Sequence, residues 1–590
     1  MPSWQQLRDV KLSEYEDAAD GWGKASSRAN ADKDRVDNQI LAKIRGSQTG
    51  MAASSAISNL EDLSRNYQYL HTECGLIRTA LNGLATELAA PQRRLKQALE
   101  DAESLKFTIH PDGSVDYPAT PSFVQVPSSG VGRATPGAPV PFLPGQAEGG
   151  VDPNKGKAEE IAEKIAEAVR DAAEVDSRYA SVLGKLKARP GLKVDAADLL
   201  DAAQDTRDVQ KAAGKYAGAD KIPTDKSPEQ NAAWWKGLTQ EQRDEYATLY
   251  PAAIGALDGI PSPVRDDANR MVLAEAKSQY EADLKAIPAE PSPKFVSHGA
   301  RGDMVYSKEW LEWHNKDYAG QKAKIEGRLK GMEAIEQRFK RSADSNLPEA
   351  YLLKFNAELD DGRVVLANGN PDTADHTSVY VPGTKSKLPD IGKDLLRSEK
   401  LWDASNSAAP GEKISTITWF DYNAPNDIPQ ATAGGYAEQG GPTLQQFMQG
   451  QRAAHQEATG TASHTTVMGH SYGSTVVGVA TQSGTWRDGA MADEIIAIGS
   501  PGMQVDRAID LGLKPGHVWA MGGSGDDMIV RHGGRLVGLG DDWNIPTDED
   551  FGGKIMKSDS SNHGGFWEDP VSLRNQAAVI TGKYDRTVLE

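Results

Sequence analysis

Cysteine is nearly absent: 590 residues hold one, Cys74. A single thiol cannot form an internal disulfide, and no cysteine–histidine cluster has the spacing of zinc ligands, so no metal is expected. Also missing is any apolar run approaching the roughly 18 residues that cross a bilayer as a helix. The first residues, MPSWQQLRDVKLSEYEDAADGW, have neither the basic end nor the apolar stretch of a secretory signal. Basic residues are in deficit, 65 Lys and Arg against 84 Asp and Glu, for a formal charge of −19. That balance argues against nucleic acid or an anionic membrane as the main partner, because both require basic patches. The expectation is a soluble protein with no membrane span and no signal peptide, cytoplasmic or exported by a leaderless route. At 38 % hydrophobic and 25 % charged residues, the chain has ample material for a core.

What is present begins with helical periodicity. Leu60, Leu63, Tyr67, Leu70, Cys74, Ile77, Leu81, Leu84 and Leu88 are spaced alternately three and four apart, a heptad seam. A weaker stripe runs upstream through Tyr15, Ala18, Trp22, Ala25, Ala29 and Val36, interrupted by Asp32. RGSQTG, residues 45–50, is a turn-rich break between them. The spacing predicts an antiparallel, coiled-coil-like helical hairpin over 1–110, with Cys74 an inert buried thiol on its seam. Pro91 is expected to end or kink the second helix. Residues 111–156 are Pro/Gly-rich and aperiodic, the composition of a linker. Residues 157–345 read as further helices, with Ile161, Ile165, Val169, Ala172 and Tyr179 on one face of the first. They form either a cap over a site or a rigid packing layer.

Near Leu352 the period changes. YLLKF, RVVLA, TSVYVPG, STITWFDY, TTVMGHS, EIIAIGS and HVWAMGG are short apolar runs alternating with helical or Gly-rich segments. Continuous apolar strands are those covered on both faces, so residues 346–590 are expected to form an α/β domain with a mostly parallel sheet.

Within that domain TTVMGHSYGSTVVGVA holds Gly469-His470-Ser471-Tyr472-Gly473 between a strand and a helix. A serine flanked this closely by glycines, at the turn from strand to helix, is the setting of a nucleophile elbow. A serine hydroxyl is a poor nucleophile and needs a base, which in turn needs an orienting acid. In an elbow fold the chain order is serine, acid, histidine. GSGDDMI follows a later strand, HVWAMGG, and is expected to place Asp526 and Asp527 at that strand's carboxyl end. Beyond them lie His532, too near the acids to reach back, and His563 in the Ser/Gly-rich SDSSNHGGFW, which is expected to be the base. His464 and His470 are read as structural. For the oxyanion, two backbone N–H donors are needed. Tyr472 follows the nucleophile, and Thr384 follows Gly383 in the loop after SVYVPG.

NPDTADHTSVYVPGT, ITWFDYNAPN, VMGHSYGS, IGSPGM, GSGDDMI and SLRNQAAVITGKYD together resemble a family of actinobacterial α/β-hydrolases of undetermined substrate. NAAWWKGLTQEQRDEY with IGALDGIPSPVRDDANR is similar to the helical region that precedes the hydrolase in many members, so the resemblance spans roughly residues 230–590. It implies an α/β-hydrolase fold and places the nucleophile, acid and base at Ser471, Asp527 and His563. The family's acid is followed by any residue and then Ile or Val, a pattern that Asp527-Met528-Ile529 meets and Asp526 does not. An apolar residue at that second position would seat the acid-bearing loop on the sheet. The helical hairpin looks like the small WXG-type proteins of type VII secretion, although Trp22-Gly23-Lys24 departs from the W-x-G order. Tyr69 and Glu73 supply a Y-x-x-x-E. Taken together, the expectation is a cofactor-free serine hydrolase acting on a small-molecule acyl substrate. The alternative is a partner-binding or secreted scaffold, recognised or self-associating through the hairpin, with the hydrolase secondary or silent.

Overall fold

The structure, a computed structural model, describes residues 3–119, 131–137, 152–188, 191–298, 303–344, 347–482, 492–540 and 543–590. The chain divides into two compact units. One comprises Met1–Asp32, Asn66–Leu192 and Asp201–Lys221; the other comprises Lys33–Arg65, Lys193–Leu200 and Ile222–Glu590.

The first unit is mainly helical. Helix α1 (Leu12–Arg35) starts in it, and most of α2 (Met51–Ser104) lies in it. The buried stripe of α1 is Ala19, Gly23, Ser26, Ala29 and Lys33 and continues to Val36 beyond the helix; it keeps the expected Ala29 and Val36 but takes Ala19, Gly23 and Ser26 in place of Ala18, Trp22 and Ala25. Trp22 faces outward, 41 % exposed. Small size decides this register: a Cβ on Gly23 would come within 2.9 Å of the Arg78 side chain, and Ser26 Oγ donates to the His71 carbonyl at 2.7 Å. Along α2, Cys74, Leu84 and Leu88 are buried as the heptad predicts, but so are Tyr69, Glu73, Leu76 and Ala80. The helix is therefore packed on several sides rather than along one seam. Because Tyr69 and Glu73 are both buried, their Y-x-x-x-E is not displayed on the surface.

Pro91 does not end α2, which runs through it to Ser104. Next to it, the Gln92 side chain donates to the Val10 carbonyl at 2.7 Å. Residues 111–156, expected as a linker, contribute two strands to a small antiparallel sheet of β1 (Thr108–Ile109), β2 (Val115–Pro118) and β3 (Val131–Ala134). Residues 120–130 and 138–151 of that stretch lie outside the described residues. Helix α3 (Pro153–Leu183) buries Ile161, Ile165, Ala172 and Tyr179 as expected, and the Tyr179 hydroxyl donates to Glu87 at 2.7 Å.

In the second unit, α4 (Ser262–Ala286), a hairpin of β4 (Phe295–His298) and β5 (Asp303–Tyr306), and α5 (Tyr318–Asp344) precede the sheet. The sheet's strands are β6 (Ala350–Asn356), β7 (Arg363–Asn368), β8 (His376–Val381), β9 (Ile414–Phe420), β10 (His464–His470), β11 (Glu494–Ile498), β12 (Val518–Met521) and β13 (Lys554–Met556). Their order is β13-β12-β11-β10-β8-β9-β7-β6, parallel throughout except for β7, which runs against both neighbours. Every residue of β7, β9 and β11 is buried, which is why β7 and β11 carry the apolar runs VVLA and IIAI, while β9 also buries Ser415, Thr416 and Thr418. Helices α6 (Ile391–Ala408), α7 (Gly435–Thr459), α8 (Tyr472–Thr481), α9 (Asp526–Leu536) and α10 (Pro570–Ile580) connect and follow the strands. Among the described residues, no helix is long and apolar enough to cross a membrane.

Candidate active site

Strand β10 ends at His470, and α8 begins at Tyr472. The one residue between them, Ser471, has φ 54° and ψ −130°, a conformation that L-residues avoid. It holds because the turn has no room to relax. A Cβ on Gly469 would lie 2.3 Å from Ser474 Cα, and one on Gly473 would lie 2.1 Å from the Val381 carbonyl oxygen. The two flanking glycines are thus required by close backbone approach. Ser471 N–H is fixed by the Ile498 carbonyl at 2.9 Å, placing the serine at the carboxyl end of the central parallel strands.

His563 arrives from the loop before α10. Its Nδ1 lies 2.7 Å from Asp527 Oδ1, and its backbone N–H donates to Asp526 Oδ1 at 2.8 Å. The neighbouring acids therefore divide the work: one holds the ring, the other the loop. Asp527 is fully buried. Burial works to raise its pKa, but the His563 hydrogen bond, the Gly523 N–H at 2.6 Å and Arg531 Nε at 2.7 Å outweigh it and hold the carboxyl below its ordinary range. An ionised carboxylate accepts hydrogen bonds only, so Nδ1 carries the proton and Nε2 is left as the basic nitrogen. Nε2 is buried and makes no hydrogen bond among the described residues.

His470 has a larger part than its structural reading suggested. Its Nε2 lies 2.7 Å from the His563 carbonyl and donates to it, and the two rings sit 4.7 Å apart. The residue beside the serine thus anchors the histidine loop. Burial, followed by the nearby His563 and Arg397, holds the His470 pKa well below the usual imidazole value. His464 lies at the far end of β10, 3.0 Å from the Ile580 carbonyl, and His532 is exposed on α9.

The loop after β8 passes directly over the elbow. A Cβ on Gly383 would fall 2.7 Å from Ser471 Cβ and 3.0 Å from Tyr472 N. The Tyr422 hydroxyl fixes this loop through the Pro382 carbonyl at 2.7 Å, and Lys385 N–H donates to the Pro425 carbonyl at 2.8 Å. Tyr472 opens α8, where helix geometry leaves N–H groups without intrahelical acceptors. Thr384 follows Gly383, so both expected oxyanion donors belong to segments that meet at Ser471.

Two details depart from expectation. Asp526 and Asp527 occupy the first turn of α9 rather than the end of a strand. Ile529, expected to seat the acid on the sheet, is 74 % exposed. The anchor is instead Arg531, one helical turn beyond Asp527, which also donates to the Gly523 carbonyl at 2.9 Å and to Thr547 Oγ1 at 2.9 Å. The i, i+4 spacing of Asp527 and Arg531 was the available signal, but it becomes visible only once GSGDDMIVR is read as helical. Among the described residues, no group of three or more His, Cys, Asp or Glu is arranged to hold a metal ion.

Residues 358–536 match the family described as alpha/beta hydrolase, a span that includes Ser471, Asp527 and Thr384 and stops short of His563. Over 396 residues the chain is 28% identical to the uncharacterized protein Rv2079 of Mycobacterium tuberculosis H37Rv, covering 60% of this chain and 55% of that one. It therefore spans about half the length of that relative. The uncharacterized protein Mb0988c of Mycobacterium bovis is 28% identical over 190 residues, 31% of this chain and 68% of its own. Among solved structures, an esterase of Pyrobaculum calidifontis is similar at 11% sequence identity and a TM-score of 0.28, covering 46% of this chain and 97% of that one. With its mostly parallel sheet and covering helices, preceded by a long helical region, the C-terminal part has the α/β-hydrolase fold.

Proposed function

We propose that the chain is a serine hydrolase that cleaves an ester, thioester or related acyl bond without a cofactor. The observation that carries this reading is the pairing of a positive-φ serine at a strand–helix turn with a histidine held 2.7 Å from a buried carboxylate. In the proposed cycle Ser471 Oγ attacks the acyl carbonyl carbon while His563 Nε2 takes the hydroxyl proton. Asp527 keeps the other ring nitrogen protonated and stabilises the imidazolium that results. The Tyr472 and Thr384 N–H groups receive the negative oxygen of the tetrahedral intermediate. Collapse expels the alcohol or thiol, which recovers the proton from His563, and leaves an acyl-enzyme on Ser471. Water, deprotonated by the same Nε2, then attacks the acyl carbon and frees the acid. The test is hydrolysis of p-nitrophenyl acetate. Wild type is expected to turn it over and Ser471→Ala to lose at least a thousandfold in kcat; equal rates for the two proteins would refute the assignment.

A further inference from the structure

Helix α9 is inside out for a surface helix. Its inward side carries Asp527 and Gly534, whereas Met528, Ile529 and Leu536 face outward at 48 %, 74 % and 76 % exposure. A surface helix normally turns its apolar stripe to the core and its polar residues to water. Single exposed aliphatics are ordinary, but clustered ones mark a binding surface; here Met528 and Ile529 are adjacent and Leu536 lies two turns beyond Ile529, with His532 and Gly533 between them. This exposed side starts at Met528, one residue after the Asp527 that holds His563. The helix also lies against the carboxyl edge of the sheet, because a Cβ on Gly534 would fall 1.9 Å from the Pro501 carbonyl oxygen, in the loop after β11.

On the oxyanion side stands another large aliphatic, Ile428, 70 % exposed. It opens a short helix, Ile428–Ala431, within a loop bound at both ends to the oxyanion segments. Pro425 accepts from Lys385 N–H, and Ala433 accepts from the Tyr472 hydroxyl. Exposed apolar side chains are thus carried by the segment holding the acid and by the loop tied to the oxyanion donors. Arg531 and Arg535 of α9 are paired with Asp527 and Asp548, and the chain as a whole is acidic, a poor match for an anionic headgroup.

Resting on the proposed hydrolase activity, we infer that Ile428, Met528, Ile529 and Leu536 form an apolar rim that takes the hydrocarbon part of a long-chain, electrically neutral acyl ester. Each methylene taken from water onto such a rim strengthens transition-state binding by up to roughly fourfold, so selectivity rises with chain length until the rim is covered.

The experiment uses the full chain and p-nitrophenyl esters from acetate to laurate, the longer ones dispersed in neutral micelles. Wild-type kcat/KM is expected to rise at least tenfold from acetate to laurate. The double variant Ile529→Ser/Leu536→Ser is expected to lose that rise while its acetate kcat/KM stays within twofold. Ile428→Ser is expected to lose part of it. Both variants alter exposed side chains, so their melting temperatures should match wild type. A wild type that prefers acetate, or variants that keep the chain-length ratio, would overturn the rim. A second arm needs no catalysis: calorimetric titration of Ser471→Ala with 1-O-dodecylglycerol, an ether that cannot be hydrolysed. Binding that disappears when Ile529→Ser/Leu536→Ser is added supports the rim even where no ester is cleaved, and then only the hydrolase reading fails. Absence of binding overturns the rim. So does a wild-type dimer that the double variant dissociates without changing chain-length preference, because a second copy would then be the occupant.

Discussion

At the residue scale, Asp526 and Asp527 make the sharpest contrast. Both Asp527 oxygens accept hydrogen bonds, so Asp527→Asn turns a donating amide toward His563 or toward Gly523 and Arg531 and removes the charge that stabilises the imidazolium; kcat is expected to fall about 10²–10⁴-fold. Asp526→Asn keeps an oxygen that can accept from His563 N–H, so its loss should stay below about tenfold. Asp527→Asn also leaves Arg531 without its carboxylate and should melt lower, so rates are to be compared where circular dichroism shows both variants folded. The depressed pKa of Asp527 makes its stabilisation fully present above the ordinary carboxylate range and lost as pH falls through its folded value. Glu73 has the opposite sign. Burial, then the charges of Asp205 and Asp201, push its pKa up to about 8, and neither carboxyl oxygen has a partner among the described residues. The folded state therefore holds a proton that the unfolded state releases, and stability falls as pH rises from the ordinary glutamate range to about 8. Glu73→Gln is expected to melt higher than wild type at pH 8.5 and close to it at pH 5; a constant difference across that range would contradict the account. Neither buried Glu73 nor the anchoring role of His470 was legible in the sequence, since each depends on neighbours far along the chain.

At the scale of elements, legibility follows burial. Strands covered on both faces are legible as apolar or β-branched runs, and the Gly-x-Ser-x-Gly turn is legible because its chemistry is local. Strand β13 is not, since three residues at a sheet edge carry no periodicity. The acids read as a strand end because GSGDDMI follows the strand-like HVWAMGG directly, whereas the helix that holds them turns Asp527 inward and its apolar residues outward, against the usual pattern. The α1 stripe agrees at Ala29 and Val36 but is one residue off before them, because hydrophobic spacing favours Trp22 whereas close packing needs the small residues at 23 and 26. The elbow offers a direct test of why its glycines are there. In Gly473→Ala the added methyl would meet the Val381 carbonyl oxygen at 2.1 Å, inside a parallel sheet that cannot give way. That variant is expected to lose activity with Ser471 untouched and to melt several degrees lower; wild-type activity and melting would contradict it.

For the whole molecule, the helical stretch read as 1–110 is shared between two compact units, with Lys33–Arg65 grouped with the sheet. Asn38 Nδ2 donates to Glu349 Oε1 at 3.2 Å, and Lys340 pairs with Glu61 at 3.0 Å within that unit. We propose that the catalytic domain is nonetheless complete from about residue 222. A 222–590 chain should stay soluble, melt cooperatively below the full-length protein and keep its activity, whereas insolubility would show Lys33–Arg65 to be integral to its core. Fold class was legible at this scale because strand and helix signals alternate; the division of the amino-terminal helices was not, because one continuous helix gives no sign of a boundary. The central claim is that Ser471 is a nucleophile activated by His563. Fluorophosphonate labelling followed by peptide mass spectrometry tests it most directly. The account predicts a single labelled serine, Ser471, in the wild type and no comparable labelling in His563→Ala. Label on another serine, or labelling of Ser471 undiminished without His563, would contradict it.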